Sequence, residues 1–401
     1  MTDQPASSAS QPDVAPSAPS QMARRASRVG LWTRVVAAIA VFAIVAVGGV
    51  IALGTFGQKP DPNLGYTIEG ANSFALVFAL ALVGGFVVYA LLEYSQTGGL
   101  ASIANQFDTR TIVLMPIAIA FNIVMGQAVG TALKIPIYLD SIGTILVGAL
   151  AGPIAGALTG FLSNMLWTYV VPPPFHSDIS GAFAIVAAVI GLLAGTFARI
   201  GWLRPRPDRN PAQLAVGAAI AITIIFAVGV IAYTGYTKVF QNVNLAPSGD
   251  QFFVLLSWIG LALVVVTVAG LLFLLFRNRD LTAAYVVVAG MITGVIAAAI
   301  SAPISANVFG GVTGAGTDFL VAAFRQAGGD IQAATLGQGL ISDPIDKITT
   351  FFVVYLILNA MGRRIKARFP QGERLVEAPA AAEMPPVSEP PPAPTPAGAA
   401  G

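Results

Sequence analysis

The chain has 401 residues, of which 56% are hydrophobic and only 10% are charged. Soluble domains carry about 25% charged residues, so this composition excludes an ordinary water-soluble enzyme and predicts a polytopic α-helical membrane protein. The absence of cysteine and the presence of one histidine exclude disulfides, thiolate metal sites and a multi-histidine metal cluster. The net charge of +2 offers no basic surface for nucleic acid.

Both ends of the chain are rich in Ser, Pro and Ala, which predicts disordered tails at residues 1–28 and 370–401. Between the tails lie ten apolar segments, each long enough or paired closely enough to cross a hydrocarbon core. In chain order they lie near 33–55, 72–93, 111–131, 138–152, 153–171, 179–199, 211–235, 252–276, 282–307 and 345–362. We therefore predict an all-α integral membrane protein with about ten transmembrane helices.

The uncharged run from residue 141 to residue 177 contains Gly152-Pro153, so it forms either a tight helical hairpin or one long kinked helix. Loop charge favours the hairpin, because cytoplasmic flanks of membrane helices collect Lys and Arg. With a hairpin and a cytoplasmic N-terminus, 16 of the 21 basic residues fall on the cytoplasmic side. A single helix would turn the basic cluster at 199–209 outward. The predicted topology therefore has both termini in the cytoplasm.

Amide side chains inside the third and fifth spans are candidates for a role beyond packing. Gly156, Gly160, Asn164 and Trp167 share one helical face, and small residues at that spacing favour close helix packing. A buried Asn164 amide needs a partner, which is either a neighbouring helix or a ligand. For Asn122 in the third span, an interhelical hydrogen bond is the favoured interpretation.

Three outer loops are candidates for ligand contact. Residues 132–139 and 170–178 are short and contain proline, whereas the connection at 309–342 is long, and such a connection is usually functional or disordered. It opens with GGVTGAGTD and contains two helix-like pieces, FLVAAFRQA and IQAATL, which is a composition typical of a lid with glycine hinges. The chain has neither a Gly-Lys phosphate loop nor a dinucleotide fingerprint, so it has no recognisable means of using ATP itself.

Charged residues near the span ends have several interpretations. Asp343 precedes a proline, which predicts a helix cap at the start of the tenth span. Asp346, Lys347 and Asp140 lie at span openings, where charges usually face a cavity, a partner or a ligand. For His176, in a proline-rich outer loop, an incidental role is favoured over ligand binding.

Deep in the spans we expect amides and hydroxyls but no carboxylate, which argues against an ion-coupled carrier.

The run GALAGPIAGALTGFLSN resembles the signature hairpin of the S components of energy-coupling factor (ECF) transporters. The closing block FGGVTGAGTDFLVAAF…GLISDPIDKITTFFVVYLIL resembles the end of a subfamily of these proteins whose substrate is often unassigned. The matched stretches cover roughly 111–200 and 282–365. The resemblance implies a six-helix core that binds its substrate beneath the three outer loops. It also implies two kinds of partner, a transmembrane T component and two ATPase subunits.

The resemblance also implies a division of the chain. Residues 1–28 form a cytoplasmic tail, 29–110 two extra transmembrane helices, 111–200 the first part of the six-helix core, 201–281 an inserted helix pair, 282–369 the last part of the core with the outer loop 309–342, and 370–401 a second cytoplasmic tail. In the family, the first core helix docks on the T component through Ala-x-x-x-Ala near its cytoplasmic half. This chain lacks that spacing there, and Gly126 and Gly130 offer a substitute surface.

We therefore predict a substrate-capture subunit of an ATP-driven importer, without catalytic residues, cofactor or metal. It would lie in a bacterial cytoplasmic membrane and bind a vitamin or related micronutrient. The predicted ligand contacts are Asp140, Asn164, Trp167, His176, Thr317, Asp318 and Asp346. Two alternatives remain open, namely a membrane ligand sensor or scaffold on the same core and a secondary transporter.

Overall fold

The computed structural model describes residues 21–53, 67–128, 137–206, 210–242 and 251–376, and every regular element within them is helical. The long helices are α1 (Gln21–Leu53), α2 (Ile68–Thr97), α4 (Thr109–Met125), α5 (Ile142–Ala151), α6 (Pro153–Tyr169), α7 (Ala184–Arg199), α8 (Pro211–Asn242), α9 (Gln251–Phe276), α10 (Thr282–Phe309) and α12 (Ile331–Ala360). Shorter helices are α3 (Ala101–Ala104), α11 (Asp318–Gln326) and α13 (Arg363–Lys366), with 3-10 turns at Ser180–Phe183 and Gly372–Leu375.

The all-α prediction is confirmed, and each of the ten apolar segments overlaps a helix. Among the described residues, six helices are long and apolar enough to cross a membrane: Gly30–Leu53, Ile68–Thr97, Thr109–Ala128, Ser180–Arg199, Pro211–Ile231 and Thr282–Phe309. The predicted count of ten is therefore not confirmed. One reason is that α5 has only 10 residues. At about 1.5 Å per residue it spans about 15 Å, half of a hydrocarbon core.

The smaller of two compact units comprises residues 1–54 and 76–101. In it α1 and α2 pack antiparallel, and Gly85 lets the backbone of Ala38 approach, because an added Cβ would lie 2.9 Å from the Ala38 carbonyl oxygen. The buried Arg34 guanidinium lies 3.7 Å from the Glu93 carboxylate. Its charge is therefore paired within this unit.

Helical structure lies within both predicted tail ranges. Helix α1 begins at Gln21, inside the expected tail 1–28. At the other end, residues 370–376 are folded, and Gly372 and Leu375 are buried in the 3-10 turn. Residues 1–20 and 377–401, which make up the rest of both tails, lie outside the described ranges.

The larger unit, residues 55–75 and 102–401, contains a helical hairpin made by α5 and α6. The chain turns at Gly152, whose φ of +139° favours glycine, and Pro153 begins α6. A Cβ added to Gly156 would lie 2.6 Å from the Cα of Gly148 and 2.6 Å from the carbonyl oxygen of Gly191 in α7. The predicted hairpin is therefore confirmed, and glycines allow three backbones to meet.

Helices α10 and α12 form a second antiparallel pair in this unit. A Cβ added to Gly294 would lie 2.5 Å from the Cα of Pro344. Helix α12 begins well before that proline, and its N-cap is Asp330, whose carboxylate accepts the backbone N–H of Ala333 at 2.7 Å. The predicted cap at Asp343 is therefore wrong, because Asp343 lies inside the helix.

The long outer connection at 309–342 is largely helical. Its first helix-like piece is α11, and the second, IQAATL, forms the opening turns of α12. Leu320 and Ala323 of α11 pack with Ile341 of α12. The connection is therefore a folded cover over the first half of α12.

Candidate functional site: a buried charged cluster on α12

Three acidic residues and one lysine lie where α12 meets the segment that precedes α5. Asp343, Asp346 and Lys347 belong to α12 and are 6%, 0% and 4% exposed. Asp140 faces them from the other segment, with a side chain that is 28% exposed. These four residues are called the charged cluster below. With all four ionised its net charge is −2.

Asp346 ties the segment before α5 to α12. Its Oδ1 accepts the backbone N–H groups of Tyr138 at 3.0 Å and of Leu139 at 2.9 Å, and its Oδ2 accepts Lys347 Nζ at 2.5 Å. Leu139 has a φ of +50°, which is strained for a leucine. The carboxylate therefore holds a backbone conformation that the segment would not favour alone.

Lys347 is engaged by the protein itself. Besides Asp346, its ammonium group donates to Ser141 Oγ at 2.9 Å and lies 3.7 Å from Asp140 Oδ1. An ammonium group has three donors, so these neighbours use its hydrogen-bonding capacity. Lys347 therefore neutralises about one of the three carboxylates.

Asp343 is the least compensated member of the charged cluster. Its carboxylate accepts the hydroxyl of Ser342 at 3.1 Å and that of Ser301, in α10, at 3.4 Å. Among the described residues, no Lys or Arg nitrogen lies within 4.0 Å of it. A buried carboxylate with only hydroxyl partners is costly, because burial removes its hydration.

A chain of polar contacts joins the charged cluster to the cover. The hydroxyl of Tyr138 lies 2.7 Å from that of Thr317, directly before α11. Gln338 donates to Ser342 at 2.8 Å, one turn from the cluster. The first outer loop, the cover and α12 therefore share one network.

The hairpin reaches the same region through Trp167. The Trp167 ring packs directly on Gly126, and a Cβ added to Gly126 would also lie 3.0 Å from the Cβ of Asp140. Trp167 Nε1 donates to the carbonyl oxygen of Phe175 at 2.7 Å, which fixes the indole plane. Trp167 and Asp140 are therefore neighbours on either side of Gly126.

The charged cluster is not arranged as a metal centre. The described ranges contain no group of three or more His, Cys, Asp or Glu side chains that could hold a metal ion. No protein-family model, curated protein or solved structure matches the chain.

Four of the seven predicted ligand contacts come together in this region. Asp140 and Asp346 belong to the charged cluster, Thr317 is bonded to Tyr138, and Trp167 lies beside Gly126. Their contact with a ligand stays a prediction.

Asp318 is occupied by its own loop. Its two carboxylate oxygens accept the backbone N–H groups of Thr313 and Gly314, at 2.9 Å and 2.7 Å, and the Thr313 hydroxyl at 2.7 Å. Burial raises the pKa of Asp318, and these hydrogen bonds oppose that rise. The arrangement closes the glycine-rich turn before α11.

His176 and Asn164 are separate from the cluster's hydrogen bonds. His176 pairs with Asp178 at 2.8 Å and with the carbonyl oxygen of Val171 at 3.1 Å, and the Asp178 hydrogen bond raises the pKa of the imidazole. Asn164 is buried, and its amide makes no hydrogen bond to the residues that the structure describes. Its predicted role as a ligand contact therefore stays open.

The two glycines predicted to dock on a partner have different outcomes. Gly126 is buried behind Trp167 and Asp140, so it offers no open surface in this structure. Gly130 lies outside the described ranges.

Sequence reasoning missed Tyr138, Gln338 and Ser342, and it misplaced Asp343. A signal for the α12 residues was present, because Gln338, Ser342 and Asp346 follow one another at intervals of four, the spacing of one helical face. The Asp-Pro dipeptide suggested a helix start and hid that continuity.

Asn122 is structural, as predicted, since its amide donates to Thr144 Oγ1 at 2.8 Å and its oxygen accepts the N–H of Gly143 at 2.7 Å.

Proposed function

We propose that the chain is the substrate-capture subunit of an ECF-type importer and binds a small micronutrient at the charged cluster. The observation that carries the proposal is the set of buried ionisable groups on α12 and the segment before α5, which a polar contact of Tyr138 with Thr317 joins to the cover. Ionisable groups inside an apolar helical bundle are costly and usually mark a ligand or ion path. Binding sites also combine apolar walls with few placed polar groups, as Trp167 and Asp140 do.

In this proposal, transport is powered by a T component and two ATPase subunits, and both termini lie in the cytoplasm of a bacterial cell. The folded cover made by α11 would shield the bound molecule, with Tyr138 and Thr317 linking it to the first loop. No catalytic role is assigned to any residue.

The test begins with the full chain purified in mild detergent from cells grown on rich medium. We expect a small molecule to co-purify at about equal molar amount and to be identified by mass spectrometry, with ATPase subunits recovered when the membrane is solubilised gently. Asp140→Asn and Trp167→Phe should each retain much less of that molecule. Asp330→Asn is the matched control, because asparagine also caps helices and residue 330 is exposed at the same end of α12. Equal retention by all variants would contradict the proposed site.

A specific observation favours a secondary transporter as the second candidate. The expectation that no carboxylate lies deep in a span does not fit α12, because this helix encloses the buried Asp343 and Asp346. Carboxylates in such positions serve as proton carriers in ion-coupled transport. Proteoliposomes containing the chain alone distinguish the two. Uptake driven by a pH gradient without ATPase subunits would favour the carrier and exclude the capture subunit.

A further inference from the structure

The charged cluster has an unbalanced charge that the described side chains do not offset. Three carboxylates face one ammonium group, and that ammonium is already bonded to Asp346 and Ser141. Among the residues that the structure describes, Asp343 has hydroxyl partners only. Buried charges in proteins are paired, bound to a cation or neutralised by a proton, because an unpaired ion loses its hydration.

A second, independent observation comes from α6. Ser163 is 1% exposed, and its hydroxyl has no hydrogen-bond partner in the described part of the chain. Gly156, Gly160, Ser163 and Trp167 follow one face of α6 at helical spacing. A buried hydroxyl without a partner leaves both a donor and an acceptor unused.

The register of the hairpin shows the level at which that hydroxyl lies. Gly156 meets Gly148 of α5, and a Cβ added to Gly160 would lie 3.0 Å from Thr144 Cγ2. Because α5 and α6 are antiparallel, one further turn along α6 brings Ser163 level with Ser141. The unused hydroxyl therefore lies at the level of Ser141, which accepts the Lys347 ammonium of the charged cluster, on the face of α6 that packs against α5.

We infer that the molecule bound here is an organic cation, held by Asp343 and Asp140 and by the unpaired hydroxyl of Ser163. An ammonium or amidinium group would offset the excess negative charge and donate hydrogen bonds to acceptors of this kind. An anionic molecule would have to displace Lys347 from partners at 2.5 Å and 2.9 Å. A bare metal ion is disfavoured, since no described group of side chains could hold one. This inference rests on the proposed function and specifies its substrate class.

The test uses three probes of one shape, benzylammonium, benzyl alcohol and benzoate, on the full chain in lipid nanodiscs at pH 7. We expect benzylammonium alone to bind saturably in equilibrium dialysis and to raise the thermal midpoint of unfolding. Asp343→Asn and Asp140→Asn should each weaken that binding at least tenfold, and Ser163→Ala by a smaller factor. Asp330→Asn, which removes an exposed carboxylate, should not change it.

The outcomes separate this inference from the proposed function. Equal or tighter binding of benzoate or benzyl alcohol by the wild-type chain overturns the cationic class, and this comparison does not depend on any variant folding. Unchanged benzylammonium affinity in both acid variants also overturns it. A co-purified molecule that is neutral or anionic contradicts this inference alone and leaves the capture function standing. A chain from which no molecule is recovered and to which no probe binds contradicts both.

Discussion

The two buried acids of α12 have different surroundings although they lie three residues apart. Asp346 accepts two backbone N–H groups and an ammonium, so its charge is compensated by fixed donors. From the described residues, Asp343 receives only hydroxyl groups, at 3.1 Å and 3.4 Å. A fully bonded carboxylate positions the chain, whereas a poorly bonded one is suited to an exchangeable partner. Asp346 is therefore a structural acid, and Asp343 is a candidate ligand-binding acid.

The pKa of the His176 imidazole gives a testable prediction. The Asp178 hydrogen bond raises the pKa of His176. Because the folded-state pKa exceeds the unfolded value near 6.5, protonation stabilises the fold fully below that value. The stabilisation is lost as the pH rises through the folded-state pKa. We expect Asp178→Asn to lower the imidazole titration midpoint. The chain has one histidine, so in NMR of histidine-labelled protein each ring position gives one signal.

The control for this measurement is Asp108→Asn. Asp108 caps α4, and it does not bond to the imidazole. Its substitution should leave the titration midpoint in place. The same midpoint in wild type and Asp178→Asn would show that the hydrogen bond does not set the pKa.

At the scale of elements, local signals predicted the hairpin but not the extent of α12. Gly152-Pro153 and the regular glycines are visible in the sequence, and they directly determine the turn and the close packing. Helix α12 continues through Pro344 because its start is capped by Asp330 and packed under α11. The contact of Asp346 with Tyr138 joins positions about 200 residues apart, which periodicity in one segment cannot show.

The glycine packing of the hairpin gives a prediction for Gly156→Ala. The new Cβ would lie 2.6 Å from backbone atoms of both Gly148 and Gly191, so α5 and α7 would have to move away from α6. We expect the free energy of unfolding to fall by about 1–3 kcal/mol, the usual cost of overpacking. Reversible unfolding in detergent, followed by circular dichroism, measures it.

Gly48→Ala is the matched control, because it is also a glycine within a long helix and an added Cβ meets nothing within 4 Å. That change should leave stability the same or slightly higher, since alanine favours the helix. A similar loss in both variants would mean that backbone proximity at Gly156 is not the cause.

At the scale of the whole chain, its last described segment closes one end of the larger unit. The backbone N–H of Gln371 donates to the carbonyl oxygen of Leu150 at 2.8 Å, at the end of α5. Arg374 donates to the carbonyl oxygen of Arg199, at the end of α7, at 2.6 Å. Composition placed this segment in a tail, because its few residues contain no apolar run. The bonds that order it go to carbonyl groups at helix ends, which have no partner within their own helix.

Two truncations test whether this closure stabilises the molecule. A chain ending at Val376 keeps the bonds to Leu150 and Arg199, whereas one ending at Phe369 lacks both bonds and the buried Leu375 side chain. Each lost hydrogen bond costs about 1 kcal/mol and the leucine about 2 kcal/mol, so the shorter chain should be about 4 kcal/mol less stable. Hydrogen exchange should quicken at the ends of α5 and α7 in the shorter chain only. Equal exchange in the two chains would show that the segment rests on the helix ends without stabilising them.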